Sequence, residues 1–250
     1  MKNQLWNINP RYRNTDAEKI FCSLENAVAI RGEVIAGSPI SKVEKVRINE
    51  RCYYVKTYSR AGKYLRRFVG RSRVRAEWEN LQLFERLGIP TAKIVAHGQE
   101  KRYGLFCKGA MVTEEIPGTT DLADVARQAP HRLQDRKWVR KISAQVADYT
   151  QRLHAIGFIH SDLKWRNILV TLTDDPQVFF IDCPAGRVRK LDRSERWFVK
   201  DIACLDKVAK YQLSATERLR FFLTYRGRHT LDEADKGFIL KVLIFFKGRE

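Results

Sequence analysis

The chain has 250 residues, with 47 Lys and Arg against 29 Asp and Glu, a formal net charge of +18 at pH 7. Its hydrophobic content of 44% is too high for a disordered chain, and the length holds one large domain or two small lobes. The charge calls for an anionic partner: nucleic acid, a phosphorylated or acidic sugar, or an anionic membrane surface. The five cysteines (Cys22, Cys52, Cys107, Cys183 and Cys204) form no C-x-x-C pair. That speaks against a disulfide framework or a zinc site and fits a reducing cytoplasm. The first residues, MKNQLWNINPRYRN, contain no apolar core of a signal peptide. The longest apolar runs, such as Val242–Phe246, fall far short of the roughly 18 residues a membrane span requires, so no transmembrane segment is expected.

In chain order, residues 1–31 read as an N-terminal extension with a short helix over Asp16–Ile30. A strand over Glu33–Ala36 leads into a turn at Gly37-Ser38-Pro39. Ser41–Ile48 and Cys52–Tyr58 then read as a hairpin about Asn49-Glu50-Arg51. The spacing of Trp78, Leu81, Phe84 or Glu85, and Leu87 predicts a helix over Ser72–Leu87, stopped by Gly88 and Pro90. Leu105–Glu115 reads as a strand, and Pro117-Gly118 marks a boundary. Beyond it the pattern is mainly helical: Leu122–Ala129, Arg136–Ile156, Trp197–Tyr211, Ala215–Tyr225 and Leu231–Phe246. The predicted organisation is therefore a β-rich first half with one helix over 32–116, and a helix-rich second half over 117–250.

The stretch His160-Ser161-Asp162-Leu163-Lys164-Trp165-Arg166-Asn167-Ile168-Leu169 carries an acid and an amide five positions apart, ahead of an apolar run. A second apolar run, Val178–Ile181, delivers another acid, Asp182. Loops often carry Asp and Asn for their turn geometry alone. This ordered set is also what phosphoryl transfer from ATP needs: a carboxylate to take the proton of an attacking hydroxyl, and an amide and a second carboxylate to hold Mg²⁺. Asp162 is the candidate base, Lys164 the group that offsets charge on the transferred phosphoryl, and Asn167 and Asp182 the candidate metal ligands. His160 is expected to brace the loop and His154 to pack at a helix end. Asp201 is either a helix-face charge or a buttress behind the loop.

Upstream, Lys56 lies on a strand after the glycine turn, where a lysine can reach the α- and β-phosphates. Glu77 is the expected partner for it, with Glu79 as the alternative. Gly37-Ser38 is the candidate turn over the phosphates, although G-x-G-x-x-G is missing. Thr113–Ile116, including Glu114 and Ile116, is placed by order as the linker whose backbone meets adenine. Two basic clusters accompany these parts: Lys56, Arg60, Lys63, Arg66, Arg67, Arg71, Arg73 and Arg75, then Arg187, Arg189, Lys190, Arg193 and Arg196. They would attract an anionic acceptor or, on a solvated face, do nothing in particular. No nucleic-acid-reading motif accompanies them, so no nucleic-acid partner is expected.

Together these residues resemble the α+β, bilobal protein-kinase-like fold, with a small β-rich lobe carrying one helix and a larger helical lobe. The closer resemblance is to the bacterial lipopolysaccharide core kinase family, which includes heptose and Kdo (3-deoxy-manno-octulosonic acid) kinases. It runs from about Gly32 to Tyr225. Its carriers are Tyr54-Val55-Lys56-Thr57-Tyr58, Arg75–Leu81, Leu87–Thr91, Val112–Glu115, His160–Leu169, Phe180–Pro184 and Lys200–Leu205. The resemblance implies ATP and Mg²⁺ as cofactors and a hydroxyl of an inner-core sugar as acceptor. It also implies a place in the cytoplasm, peripheral at the inner face of the inner membrane. Cys183-Pro184 stands where eukaryotic protein kinases have Phe-Gly, and Pro184 restricts Cys183. With the short segment that follows, this points to a small-molecule kinase without an activation switch. The rival expectations are an atypical protein Ser/Thr kinase and a nucleotide-binding scaffold without catalysis.

Overall fold

A computed structural model describes residues 2–61, 70–189 and 195–248. The chain divides into two compact units, Met1–Leu83 with Thr91–Pro117, and Phe84–Pro90 with Gly118–Glu250.

The first unit is built on a six-stranded antiparallel sheet. Its strands are β1 (Lys2–Ile8), β2 (Glu33–Ser38), β3 (Ser41–Ile48), β4 (Arg51–Tyr58), β5 (Ile94–Arg102) and β6 (Leu105–Glu114), in the order β1-β5-β6-β4-β3-β2. The β3–β4 hairpin turns at Asn49, whose φ of 53° lies in the left-handed region that Asn tolerates. Residues 1–31, which read as an extension, belong to this unit. β1 pairs with β5 along its whole length. Two helices, α1 (Asp16–Ile20) and α2 (Leu24–Ala29), replace the single expected one, because Ser23 caps α2 by accepting from Asn26 N and so restarts the helix. Phe21, Leu24 and Ala27 are fully buried against Tyr53, Val55, Ala110 and Val112 of the sheet.

β5 and β1 carry no strong strand signal in the sequence. Gly98 interrupts β5, and its second half is polar. The glycine is required there, since a Cβ at position 98 would stand 2.0 Å from the carbonyl oxygen of Leu5 on the neighbouring strand. The strand β2 runs two residues past its expected end, so Gly37 and Ser38 are strand residues and the turn proper is Pro39-Ile40. The helix α3 (Arg73–Arg86) matches its predicted span, and Gly88 follows it at φ 67°.

The second unit is mainly helical: α4 (Leu122–Gln128), α5 (Arg136–Ala155), α6 (Glu195–Gln212), α7 (Ala215–Arg226) and α8 (Glu233–Ile244). Four of these helix starts carry their own signal. Asp121 caps α4, Asp135 caps α5, and Ser214–Glu217 and Asp232–Asp235 form capping boxes on α7 and α8. Short strands frame the loop of interest. β8 (Phe158–Ile159) pairs with β11 (Arg187–Val188), and β9 (Ile168–Thr171) pairs with both β7 (Thr119–Asp121) and β10 (Val178–Phe180). Phe84, Phe158, Phe180 and His160 are buried together, with ring centres 5.7–6.4 Å apart. Among the described residues no helix is long and apolar enough to cross a membrane.

Candidate active site

In the first unit the alternation of β4 sorts its side chains between two faces. Tyr53 and Val55 enter the core beneath α1 and α2. Lys56 and Tyr58 take the other face and meet Glu77 of α3. Lys56 Nζ lies 2.8 Å from Glu77 Oε1, and the Tyr58 hydroxyl donates to Glu77 Oε2. The Glu77 side chain is 2% exposed. A buried carboxylate of this kind is tolerated only when charged and polar partners replace its lost hydration. Glu79, the alternative partner, instead binds Arg71 and Arg75 at 2.9 and 2.7 Å. Burial pushes the Glu79 carboxyl up, but the two arginines outweigh it and hold the carboxyl below its ordinary value. Two arginines of the basic cluster are therefore committed to an acid. Lys63, Arg66, Arg67, Lys190 and Arg193 lie outside the described residues.

Ser38 Oγ accepts from Ile40 N and Ser41 N at 3.3 and 3.1 Å, so this hydroxyl serves its own turn. A Cβ on Gly37 would meet nothing within 4 Å. Glu114 ends β6. It accepts from the Tyr12 hydroxyl at 2.5 Å and from Arg51 at 3.2 Å, while Glu114 N donates to Lys93 O. Glu115 binds Lys45 at 2.7 Å. The acids of the segment Thr113–Ile116 are thus neutralised by side chains of their own unit.

In the second unit, the loop after β8 holds Asp162. Its carboxylate lies 2.5 Å from Lys164 Nζ and 3.7 Å from Arg166 Nη2. Asn167 Nδ2 donates to the Asp162 carbonyl at 2.8 Å and stands 3.4 Å from Asp162 Oδ2. The loop is gripped from behind by Asp201, fully buried on α6. Asp201 Oδ2 accepts from His160 N at 2.7 Å and Oδ1 from Ser161 N at 2.8 Å. This decides between the two readings of Asp201 in favour of the buttress. His154 does more than pack, since its Nδ1 pairs with the Tyr225 hydroxyl at 2.8 Å and its Nε2 lies 3.4 Å from Asp201. His160 is fully buried, and neither ring nitrogen finds a hydrogen-bond partner among the described residues. Burial lowers its pKa, so the ring stays neutral and fills space.

The β9–β10 hairpin sets Asn167 beside Asp182. Phe180 pairs with Ile168, and Ile181 N donates to Asn167 O at 3.0 Å, which places Asp182 one residue beyond. Asp182 and Ser161 sit at φ 55° and 69°, a strained region for side chains without a special reason to be there. The Asn167 amide nitrogen is turned to Asp162, so its oxygen is the atom of this side chain that could ligate a metal. An amide oxygen and a carboxylate are hard donors of the sort Mg²⁺ takes alongside water and phosphate oxygens. Among the described residues no group of three His, Cys, Asp or Glu side chains is gathered around a metal position. A two-donor site that relies on nucleotide phosphates needs no such group.

The second unit also contains an apolar cavity of about 270 Å³ between α5, α6, α7 and α8. Trp138, Val146, Ile202, Phe222 and Val242 line it, together with Trp165 of the Asp162 loop, whose Nε1 donates to Leu205 O at 3.0 Å.

Residues 33–225 match the model of the lipopolysaccharide kinase (Kdo/WaaP) family. The chain belongs to that family. It is similar to the lipopolysaccharide core heptose(I) kinase WaaP of Pseudomonas aeruginosa, 27% identical over 160 residues, covering 62% of this chain and 59% of the relative. The Haemophilus influenzae 3-deoxy-D-manno-octulosonic acid kinase is 26% identical, over 51% of this chain and 54% of the relative. The Escherichia coli heptose(I) kinase WaaP is 25% identical, over 60% and 59%. The matched stretch thus spans between half and three fifths of these relatives. Among solved structures, WaaP in complex with acyl carrier protein superposes with a TM-score of 0.71 at 23% identity, covering 98% of both chains. This confirms the kinase-like α+β fold inferred from the ordered motifs. The bonds of Tyr58 to Glu77, Tyr12 to Glu114 and His154 to Tyr225 carry no signal in the sequence, because nothing in the spacing of these residues marks them.

Proposed function

We propose that this member of the Kdo/WaaP family transfers the γ-phosphate of ATP to a hydroxyl of a lipopolysaccharide inner-core sugar, a heptose or Kdo. The supporting observation is the set Asp162, Asn167 and Asp182, on a hairpin and a loop whose backbone Asp201 holds. In this reading Asp162 takes the proton of the attacking hydroxyl. Lys164, beside it, offsets charge on the transferred phosphoryl group. Lys56, oriented by Glu77, draws in the α- and β-phosphates, and the backbone of Glu114–Ile116 meets the adenine. Gly37 and Ser38 are the candidate phosphate cover, acting through the backbone since the hydroxyl is engaged. Asn167 and Asp182 would hold Mg²⁺, which when bound neutralises phosphate oxygens. We assign residues 32–116 and 117–250 as the two lobes, with residues 1–31 joined to the first.

An acceptor rich in phosphates and carboxylates suits a chain of net charge +18. The same charge suits work at an anionic membrane face in the cytoplasm. The test is transfer of labelled γ-phosphate to purified core oligosaccharide. The expected result is transfer by the native protein, and transfer slower by about 10²–10⁴-fold for Asp162→Asn. Equal transfer by both would remove the mechanism. Phosphoserine on a protein acceptor, without transfer to glycan, would favour a protein kinase.

A partner reading follows from the cavity. The solved WaaP neighbour is bound to acyl carrier protein. An apolar space of about 270 Å³ offers an acyl chain a place in this protein. Calorimetry with acyl-loaded and unloaded carrier protein tests this: tighter binding of the loaded form, abolished by filling the cavity with Val146→Trp, is the expected result. Equal binding of both forms would contradict it.

A further inference from the structure

We propose that Tyr58 is a positioning residue for the nucleotide lysine, acting through Glu77. The proposal rests on the kinase reading of Lys56 and names a third member for its pair. Tyr58 and Lys56 are two apart on β4 and so project from the same face of the strand. They divide one carboxylate between them: Oε1 meets Lys56 Nζ at 2.8 Å, and Oε2 accepts the Tyr58 hydroxyl. The Lys56 ammonium also lies 5.7 Å from the centre of the Tyr58 ring, within range of a cation–π attraction. Tyr58 and Glu77 are each 2% exposed.

The physical consequence comes from geometry. A carboxylate held at one oxygen can still swing about its last torsion, and α3 can slide away while a lysine follows it. Held at both oxygens by a rigid ring and a strand lysine, it has one orientation. The ring has two torsions and is buried, so it contributes little freedom of its own. Lys56 is then presented in one place before any nucleotide arrives. Preorganisation of this kind lowers what binding must spend on ordering. It also agrees with Cys183-Pro184, which argues against a regulated switch on the other side of the reaction. In this enzyme the lysine–glutamate pair is set by the fold of the first unit, without a regulator.

The test compares full-length native protein with Tyr58→Phe, Glu77→Ala and the double variant. The readouts are affinity for ATP with Mg²⁺ and γ-phosphate transfer to core oligosaccharide. Phe keeps the ring and removes only the hydroxyl. A hydrogen bond to a buried charge corresponds to about a tenfold effect or more. Tyr58→Phe is therefore expected to lower kcat/KM for ATP about tenfold while leaving KM for the acceptor unchanged. In the Glu77→Ala background the same change should cost under about twofold, because there is no carboxylate left to hold. A Tyr58→Phe protein with a lower melting midpoint but native ATP parameters would overturn the proposal and make Tyr58 a core residue only. An equal loss in both backgrounds would also overturn it. If the native protein binds no ATP with Mg²⁺, the kinase reading itself fails. If Tyr58→Phe does not fold, the double variant against Glu77→Ala still decides: a further loss of ATP affinity there overturns the proposal, and none supports it.

Discussion

The two clusters that bear the candidate chemistry are held by different kinds of bond. In the first unit, Lys56, Glu77 and Tyr58 fix one another through side chains standing on a strand and a helix. In the second, Asp201 fixes the Asp162 loop by taking two backbone N–H groups. A side chain can be exchanged for another of like shape. A backbone N–H cannot be removed, except by proline. The first arrangement is therefore expected to be replaceable as a pair for stability, and the second is not.

Substitutions at these positions put the contrast to the test. The largest effect is expected at Asp201. Asp201→Ala strips a carboxylate from two buried amides, each such charge-assisted bond being worth about 1.5–3 kcal/mol. A fall in unfolding free energy of about 3–5 kcal/mol by denaturant titration, with loss of phosphate transfer, is expected, and no second substitution should restore either. Lys56→Met comes next. It removes the ammonium 2.8 Å from the buried Glu77 carboxylate, at a cost of about 3 kcal/mol. Adding Glu77→Leu should recover most of that stability while ATP affinity stays lost. If the double variant were no more stable than the single one, the two clusters would not differ as described.

A smaller effect concerns pH. Burial pushes His97, whose ring is tilted against Trp78 with centres 4.7 Å apart, down to about 4 from an ordinary value of 6.5. Between those values the unfolded chain binds a proton that the folded one does not. Stability attributable to this ring is complete above pH 6.5 and is lost as pH falls toward 4, by at most about 1.4 kcal/mol per unit. His160, lowered by burial too, acts in the same direction. Melting curves from pH 7 to 4 should flatten when His97 becomes Phe. An unchanged slope would mean that His97 is not the group responsible. The smallest effect is expected at Glu79, whose bonds to Arg71 and Arg75 are half exposed. Glu79→Gln should cost no more than about 1 kcal/mol and leave ATP affinity as it was. An ATP effect as large as that of Glu77→Gln would exchange their roles.

The same contrast explains what could be read from the sequence. Lys56 and Glu77 were legible because strand and helix have fixed periods, so spacing states which face each side chain takes. Asp162, Asn167 and Asp182 were legible as an ordered chemical set. The sequence allows two readings of Asp201. A helix period says that a residue is on a face, not what that face packs against, and its partners lie 40 and 41 residues away in the chain. Strand β5 escaped because its pattern is set by neighbours on both sides: Gly98 yields to the Leu5 carbonyl, and Gln99 and Glu100 are buried although polar. Residues 1–31 looked detachable because Phe21 and Leu24 reveal their core role only against the sheet they cover.

The central claim, that this chain phosphorylates the lipopolysaccharide core, is tested most directly by the mass of the core oligosaccharide. It would be taken from cells that have the protein, cells that lack it, and cells that carry Asp162→Asn in its place. A core heavier by phosphate is expected only where the native protein is present, with the deletion and Asp162→Asn cores matching each other. Identical cores in all three would contradict it.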